Sequence, residues 1–306
     1  MKEYFQLQWK MFNRHLIDFG ITPFLAYPIL ILIFVFASNA LFERVAIASY
    51  VLPFFAIIYF LKLGGKIRND FLRISFSSKK YKQIRILENL LISFPFVVFL
   101  VYKSEFLIAL VLLIVAVVFS FIKTPSGSNI TIPTLFKKHP FEFTEGFRKT
   151  LYMFPIAGFL TYISIEVNNF NLGVFAIVAV FLVCISYNTK TEENYFVWMF
   201  KKSPTDFLRY KIKVAIISTS LLMIPFLIIL GIFYPEYIHF LVLIHIVGCF
   251  YLAQFVIAKY ADFPRQINFP IAIILLLSIS FPPNLLFTFP YLYKKAIQKL
   301  SIVLHD

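Results

Sequence analysis

Apolar runs about as long as a bilayer is thick alternate along this chain with short polar segments, and the period of that alternation predicts a bundle of membrane helices. A crossing helix needs roughly 17–25 mostly apolar residues, and such runs occupy 22–40, 46–63, 86–102, 106–122, 152–165, 172–187, 214–233 and 237–258. A ninth apolar region, 267–293, is interrupted by Pro282-Pro283-Asn284 and reads as one kinked span or as a hairpin of two short ones. The expected fold class is an all-α polytopic membrane protein with eight to ten transmembrane helices.

Two polar segments carry their own periodicity. Phe5, Trp9, Phe12, Leu16 and Phe19 recur every three or four residues, with Gln6, Lys10, Asn13 and Arg14 on the other faces. That is an amphipathic helix too polar to cross, expected to lie in the interface. Phe136, Phe143 and Phe147 repeat the spacing after the linker Thr124-Pro125-Ser126-Gly127-Ser128-Asn129. The expected organisation is therefore a first membrane repeat at 1–123, a linker at 124–135, a second repeat at 136–258 and a C-terminal span or hairpin with a basic tail at 259–306. Each repeat comprises an interfacial helix, two spans, a basic loop and two more spans; an even number of spans makes the repeat parallel, not inverted.

Composition agrees with lipid as the solvent: 60% of residues are hydrophobic, 14% are charged, and mean hydropathy is +0.83. The formal net charge of +14 would suit a nucleic-acid binder, but its placement points elsewhere. With the N-terminus cytoplasmic and the last region a hairpin, only Arg44 and Lys103 of the 29 Lys and Arg residues fall outside. That bias orients a multi-pass protein of the cytoplasmic (inner) membrane. Asn129-Ile130-Thr131 matches a glycosylation sequon, but the same topology keeps it in the cytoplasm.

The basic segments dominate the polar chemistry. The loop at 68–91 reads RNDFLRISFSSKKYKQIRILENLL, and its counterpart at 194–217 reads NYFVWMFKKSPTDFLRYKIKVAII. Aligning Ser77 with Ser203 sets Ser78 against Pro204, Tyr81 against Phe207, Arg85 against Lys211 and Ile86 against Ile212. Ser203 is a helix cap, Pro204 fits the first helical position, and Asp206 sits at the positive end of the dipole; Ser77 or Ser78 can cap likewise. Each loop is expected to run extended, form a short cytoplasmic helix with an aromatic near its start, and enter a span.

Catalytic and metal motifs are sparse. His245 and Cys249 share a helix face at i, i+4, with no third ligand evident. Asp70, Glu88, Glu166, Glu192 and Glu193 lack the spacing of a magnesium–diphosphate site. Gly64-Gly65-Lys66 lacks the first glycine and the hydroxyl of a phosphate-binding loop. Few charges fall deep in spans, which disfavours proton or sodium coupling.

Phe71-Leu72, then Phe76-Ser77-Ser78-Lys79-Lys80-Tyr81 ahead of Ile84 and Leu87, resembles the coupling helix of the membrane (permease) subunits of type-2 ABC exporters, and Lys202-Ser203-Pro204-Thr205-Asp206-Phe207 is similar. Those subunits also begin with an interfacial elbow helix, as the first residues here do. They have fewer spans and one such loop, so the resemblance implies that this chain supplies both halves of a permease. It implies a transport subunit without enzymatic activity, with ATP bound by a separate cytoplasmic ATPase, a dimer, and no cofactor here. Ser77, Ser78, Lys79, Lys80, Tyr81, Ser203, Pro204, Asp206, Phe207 and Arg209 would dock that partner. Tyr81 and Phe207 would be its aromatic anchors, while Lys79, Lys80, Lys201, Lys202 and Arg209 would steer it. The alternatives are a membrane-embedded lipid-modifying enzyme and a non-catalytic envelope assembly protein.

Overall fold

A computed structural model describes residues 1–45, 47–124, 136 and 141–304; the linker from 125 to 135, with its sequon, lies outside them. The chain divides into two compact units, Met1–Ile130 and Thr131–Asp306. Among the described residues every regular element is helical.

The first unit contains α1 (Lys2–Phe19), α2 (Pro23–Arg44), α3 (Ala48–Leu63), α4 (Lys66–Ser75), α5 (Ser78–Tyr102) and α6 (Phe106–Phe119). Its core is built by α3, α5 and α6. Ala56, Phe60, Leu100, Leu112 and Ala116 are buried there, with small residues letting the helices approach. α2 contributes little, since only Ala26 and Ser38 are buried along it. Such a face is suited to lipid.

The second unit contains α7 (Phe141–Thr150), α8 (Met153–Glu166), α9 (Phe170–Ser186), α10 (Asn194–Trp198), α11 (Pro204–Phe233), α12 (Ile238–Tyr260), α13 (Phe269–Ser280) and α14 (Leu285–Leu304). Here α9, α11 and α12 form the centre, and α14 inserts Leu292, Ala296 and Leu300 into the same core. The last apolar region is thus two helices, broken by a 3₁₀ turn at Pro282–Asn284. Gln254 of α12 donates to both Ser278 on α13 and Thr288 on α14, at 2.8 and 2.9 Å.

Four stretches, Pro23–Arg44, Ser78–Tyr102, Pro204–Phe233 and Pro235–Tyr260, are long and apolar enough to cross a membrane. The chain is a membrane-embedded helical protein. Five further apolar helices, α3, α6, α8, α9 and α13, have 10–17 residues. At about 1.5 Å per residue all five fall short of a ~30 Å hydrocarbon core.

Two expectations change. The approach to Ser77 is not extended: α4 is a helix, because Asn69 and Leu72 share a face that packs inward. Nor is there a separate short helix after either serine. α5 and α11 start at Ser78 and Pro204 and continue unbroken into the apolar segment, since nothing in KKYKQIRILENLL or TDFLRYKIKVAII interrupts the helical hydrogen bonding.

Candidate functional site

Ser203 is the N-cap of α11, with its Oγ accepting from the Asp206 amide at 3.2 Å and Pro204 in the first turn. Ser77 is the N-cap of α5, without a side-chain cap bond. The cations that follow or precede these caps, Lys79, Lys80, Lys201, Lys202 and Arg209, are exposed, as are Ser78 and Asp206. The aromatics are not. Tyr81 is 8% exposed and Phe207 is 0% exposed.

Each ring is held by its own unit. Tyr81 donates to Asn69 Oδ1 at 2.9 Å and lies under the Arg73 guanidinium. Phe207 packs edge-on against Phe200 and Tyr260, both at 5.3 Å. Neither is presented to a partner, so the expectation of surface anchors is corrected: an apolar ring one turn past a cap faces whatever packs on the helix, and here that is the unit itself. The outward apolar surface is instead Ile67, Phe71 and Ile74 on α4, and Tyr195, Phe196 and Trp198 on α10.

Beneath these caps each unit holds a buried ionic cluster. In the first, Arg68 of α4 pairs with Glu88 of α5, while Tyr4 of α1 donates to the same carboxylate. Arg68 also donates to the Tyr4 hydroxyl at 2.7 Å. Burial, then the bond and charge of Glu88, push the Tyr4 phenol up to about 12. Arg85, one turn before Glu88, is 1% exposed; its Nη2 donates to the Phe119 carbonyl at 3.3 Å, and its Nε and Nη1 have no hydrogen-bond partner among the described residues.

In the second unit Lys211, which aligns with Arg85, donates to Glu142 of α7 at 2.7 Å and to Glu192 at 2.8 Å. Lys259 at the end of α12 lies 2.9 Å from Glu192 and 3.5 Å from Glu142, and Tyr260 donates to both Glu192 oxygens. Two acids and two cations make the cluster neutral. Burial raises the Glu192 pKa, but the bond shared with Glu142 and the charges of Lys211 and Lys259 outweigh it, holding this carboxyl well below the usual range.

Glu142, Glu192 and Lys211 of that cluster line the floor of a cavity of about 570 Å³ bounded by α7, the end of α9, the segment through α10 and the first turns of α11. Its walls are mostly apolar, with Phe141, Phe196, Val197, Phe200, Phe207 and Val214 prominent. Tyr187 and Thr150 share a hydrogen bond in its lining. The mouth carries Glu145, Lys149, Lys190 and Glu193. The volume lies within the ~300–1,000 Å³ typical of small-molecule sites.

The sequence pointed to Phe207 but not to this cluster. Glu142, Glu192, Lys211 and Lys259 lie far apart in the chain, and no spacing rule joins them. The usable signal was scarcity: in a chain with 15 acids, an acid inside a cation-rich segment near a span is a candidate ion pair. Among the described residues no three His, Cys, Asp or Glu side chains are grouped so as to hold a metal ion.

No family model, curated protein or solved structure matches the chain. The functional reading therefore rests on the geometry above.

Proposed function

We propose that the chain is the transmembrane permease component of an ABC-type exporter, worked by a separate cytoplasmic ATPase. The observation that carries this reading is the continuity of α5 and α11. Each starts at a serine cap beside exposed cations and runs without a break into an apolar segment, giving helices of 25 and 30 residues. A push on the capped end is passed along the continuous first turns, ahead of the internal prolines Pro95 and Pro225, where a helix can bend.

The handles are the exposed cations Lys79, Lys80, Lys201, Lys202 and Arg209, together with the outward apolar faces of α4 and α10. Cations steer an acidic partner, and aromatics such as Phe71 and Trp198 supply the contact energy. Within each unit the segments assigned to the cytoplasm by charge converge: Tyr4, Arg68 and Glu88 in one, Glu142, Glu192, Lys211 and Lys259 in the other. This supports an N-terminus in the cytoplasm, with the shorter apolar helices crossing a locally thinned bilayer. Both units begin with a polar helix, two apolar helices, a short polar-flanked helix, a long helix and an apolar helix, after which the second unit adds α13 and α14; this shared order supports an internal duplication that lets one chain supply both halves of the permease.

The test is reversal of the exposed cations, Lys79→Glu, Lys80→Glu, Lys201→Glu and Lys202→Glu together. Isolated with its partner, the wild-type chain should bring down ATP-hydrolysing activity that the quadruple variant loses at unchanged melting temperature. Undiminished ATPase association in that variant would sink the reading.

A further inference from the structure

We infer that the cavity of the second unit is a binding site for a single phospholipid with a zwitterionic, phosphate–ammonium headgroup. This inference concerns the isolated chain and needs no ATPase, so it stands or fails separately from the permease reading, although Phe196 of α10 belongs to both surfaces.

The argument starts at the floor. Lys211 has both its carboxylate partners within 2.8 Å, and its ammonium also lies over the rings of Phe200 and Phe207. Glu192 is engaged by Lys211, Lys259 and Tyr260. Glu142, Glu192 and Lys211 on the floor are paired with one another and with Lys259 in a neutral cluster, which offers no net charge to a small inorganic ion. What it leaves is an apolar chamber of about 570 Å³ whose filling is favourable only for hydrocarbon.

Polar contacts are available at the mouth, and they are of both signs. Glu145, Lys149, Lys190 and Glu193 are exposed residues of the cavity lining, and Glu145 feels the charges of both Lys149 and Lys190. Lys149 pairs with Glu145 along one turn of α7, which lowers the Glu145 pKa through that hydrogen bond. Both are largely exposed, so the pair is weak and exchangeable. A phosphate can take Lys190 and Lys149 while an ammonium takes Glu193 and Glu145, and an acyl chain enters between Phe141 and Phe196. A purely anionic head would take the two lysines and leave Glu193 and Glu145 without a cation.

The rim also lies where a lipid would arrive. Phe141 and Phe196 are 78% and 53% exposed on short helices at the end of the unit where α11 begins. Large apolar side chains beside cations in such short helices mark the membrane–water interface.

The full chain, purified in detergent without any ATPase, is exchanged into phosphatidylethanolamine, phosphatidylglycerol or inorganic phosphate, then washed. Lipid retained per chain is counted by native mass spectrometry, and melting is followed in parallel. Phosphatidylethanolamine should be retained and raise the melting temperature, and phosphate should do neither. Retention should fall by about tenfold or more, ~1.4 kcal/mol or more, in Val214→Trp, which fills the chamber. Thr189→Trp, at an exposed place on the lining, should act alike and is the decisive variant if Val214→Trp does not fold. Lys190→Glu should weaken retention without altering folding. Equal retention of phosphatidylglycerol would overturn the headgroup assignment. Equal retention by wild type and both tryptophan variants would show surface lipid only and overturn the site, as would no retention at all.

Discussion

Lys211 on α11 and Glu142 on α7 lie 2.7 Å apart, and this contact fastens an amphipathic helix to the base of a long membrane helix. Glu192 joins the same ammonium from the segment before α10. Removing the cation leaves two buried acids to share Lys259. Breaking a buried pair from one side typically costs about 3–5 kcal/mol. Lys211→Met should therefore lower the denaturation midpoint in detergent sharply, and adding Glu142→Gln should restore part of the loss. A single variant as stable as wild type would show that the cluster contributes nothing.

Glu192 also sets a pH dependence. Its folded pKa is depressed, so the unfolded chain binds the proton more readily. The resulting stabilisation is complete above the unfolded value of about 4.3 and drains away as pH falls from there towards the folded value. Melting curves of wild type and Glu192→Gln should differ most at neutral pH and converge below about pH 4. A gap that widened on acidification would contradict the direction of the shift.

Phe207→Ala and Tyr81→Ala separate packing from docking. Phe207 is fully buried against Phe200 and Tyr260, so truncation should cost about 3–5 kcal/mol of stability. Tyr81→Ala should also destabilise, by less if Leu72 and Ile84 close over the gap. Circular dichroism melts of the isolated chain read both. If either variant melted like wild type, its ring would not belong to the interior.

Some of this was legible from local chemistry. Ser203-Pro204-Thr205-Asp206 specifies a helix start by itself, because the hydroxyl, the fixed proline φ and the acid at the dipole act within one turn. Pro282-Pro283-Asn284 likewise breaks the last apolar region on local grounds. The inward turn of Tyr81 and Phe207 was not legible, since an aromatic after a cap has the same periodicity whether it meets a partner or its own unit. The stripe of α1 and that of α7 show the same limit. Trp9 and Phe12 are exposed, while Phe143, with matching spacing, is buried against Tyr187. Which face is covered depends on helices distant in sequence, as does the meeting of Glu142 with Lys259.

Two glycines give opposite expectations from one substitution. A Cβ on Gly248 of α12 would lie 2.5–2.7 Å from three ring carbons of Phe181 on α9. That ring is itself buried, so it cannot swing clear and the helices must part, at a cost of about 1–3 kcal/mol. A Cβ on Gly158 of α8 meets nothing within 4 Å, so alanine there only removes backbone freedom and should add about 0.5–1 kcal/mol. Gly248→Ala should therefore melt lower than wild type and Gly158→Ala higher, in the same detergent. If Gly248→Ala were neutral, α9 and α12 would have to be looser than their close approach requires.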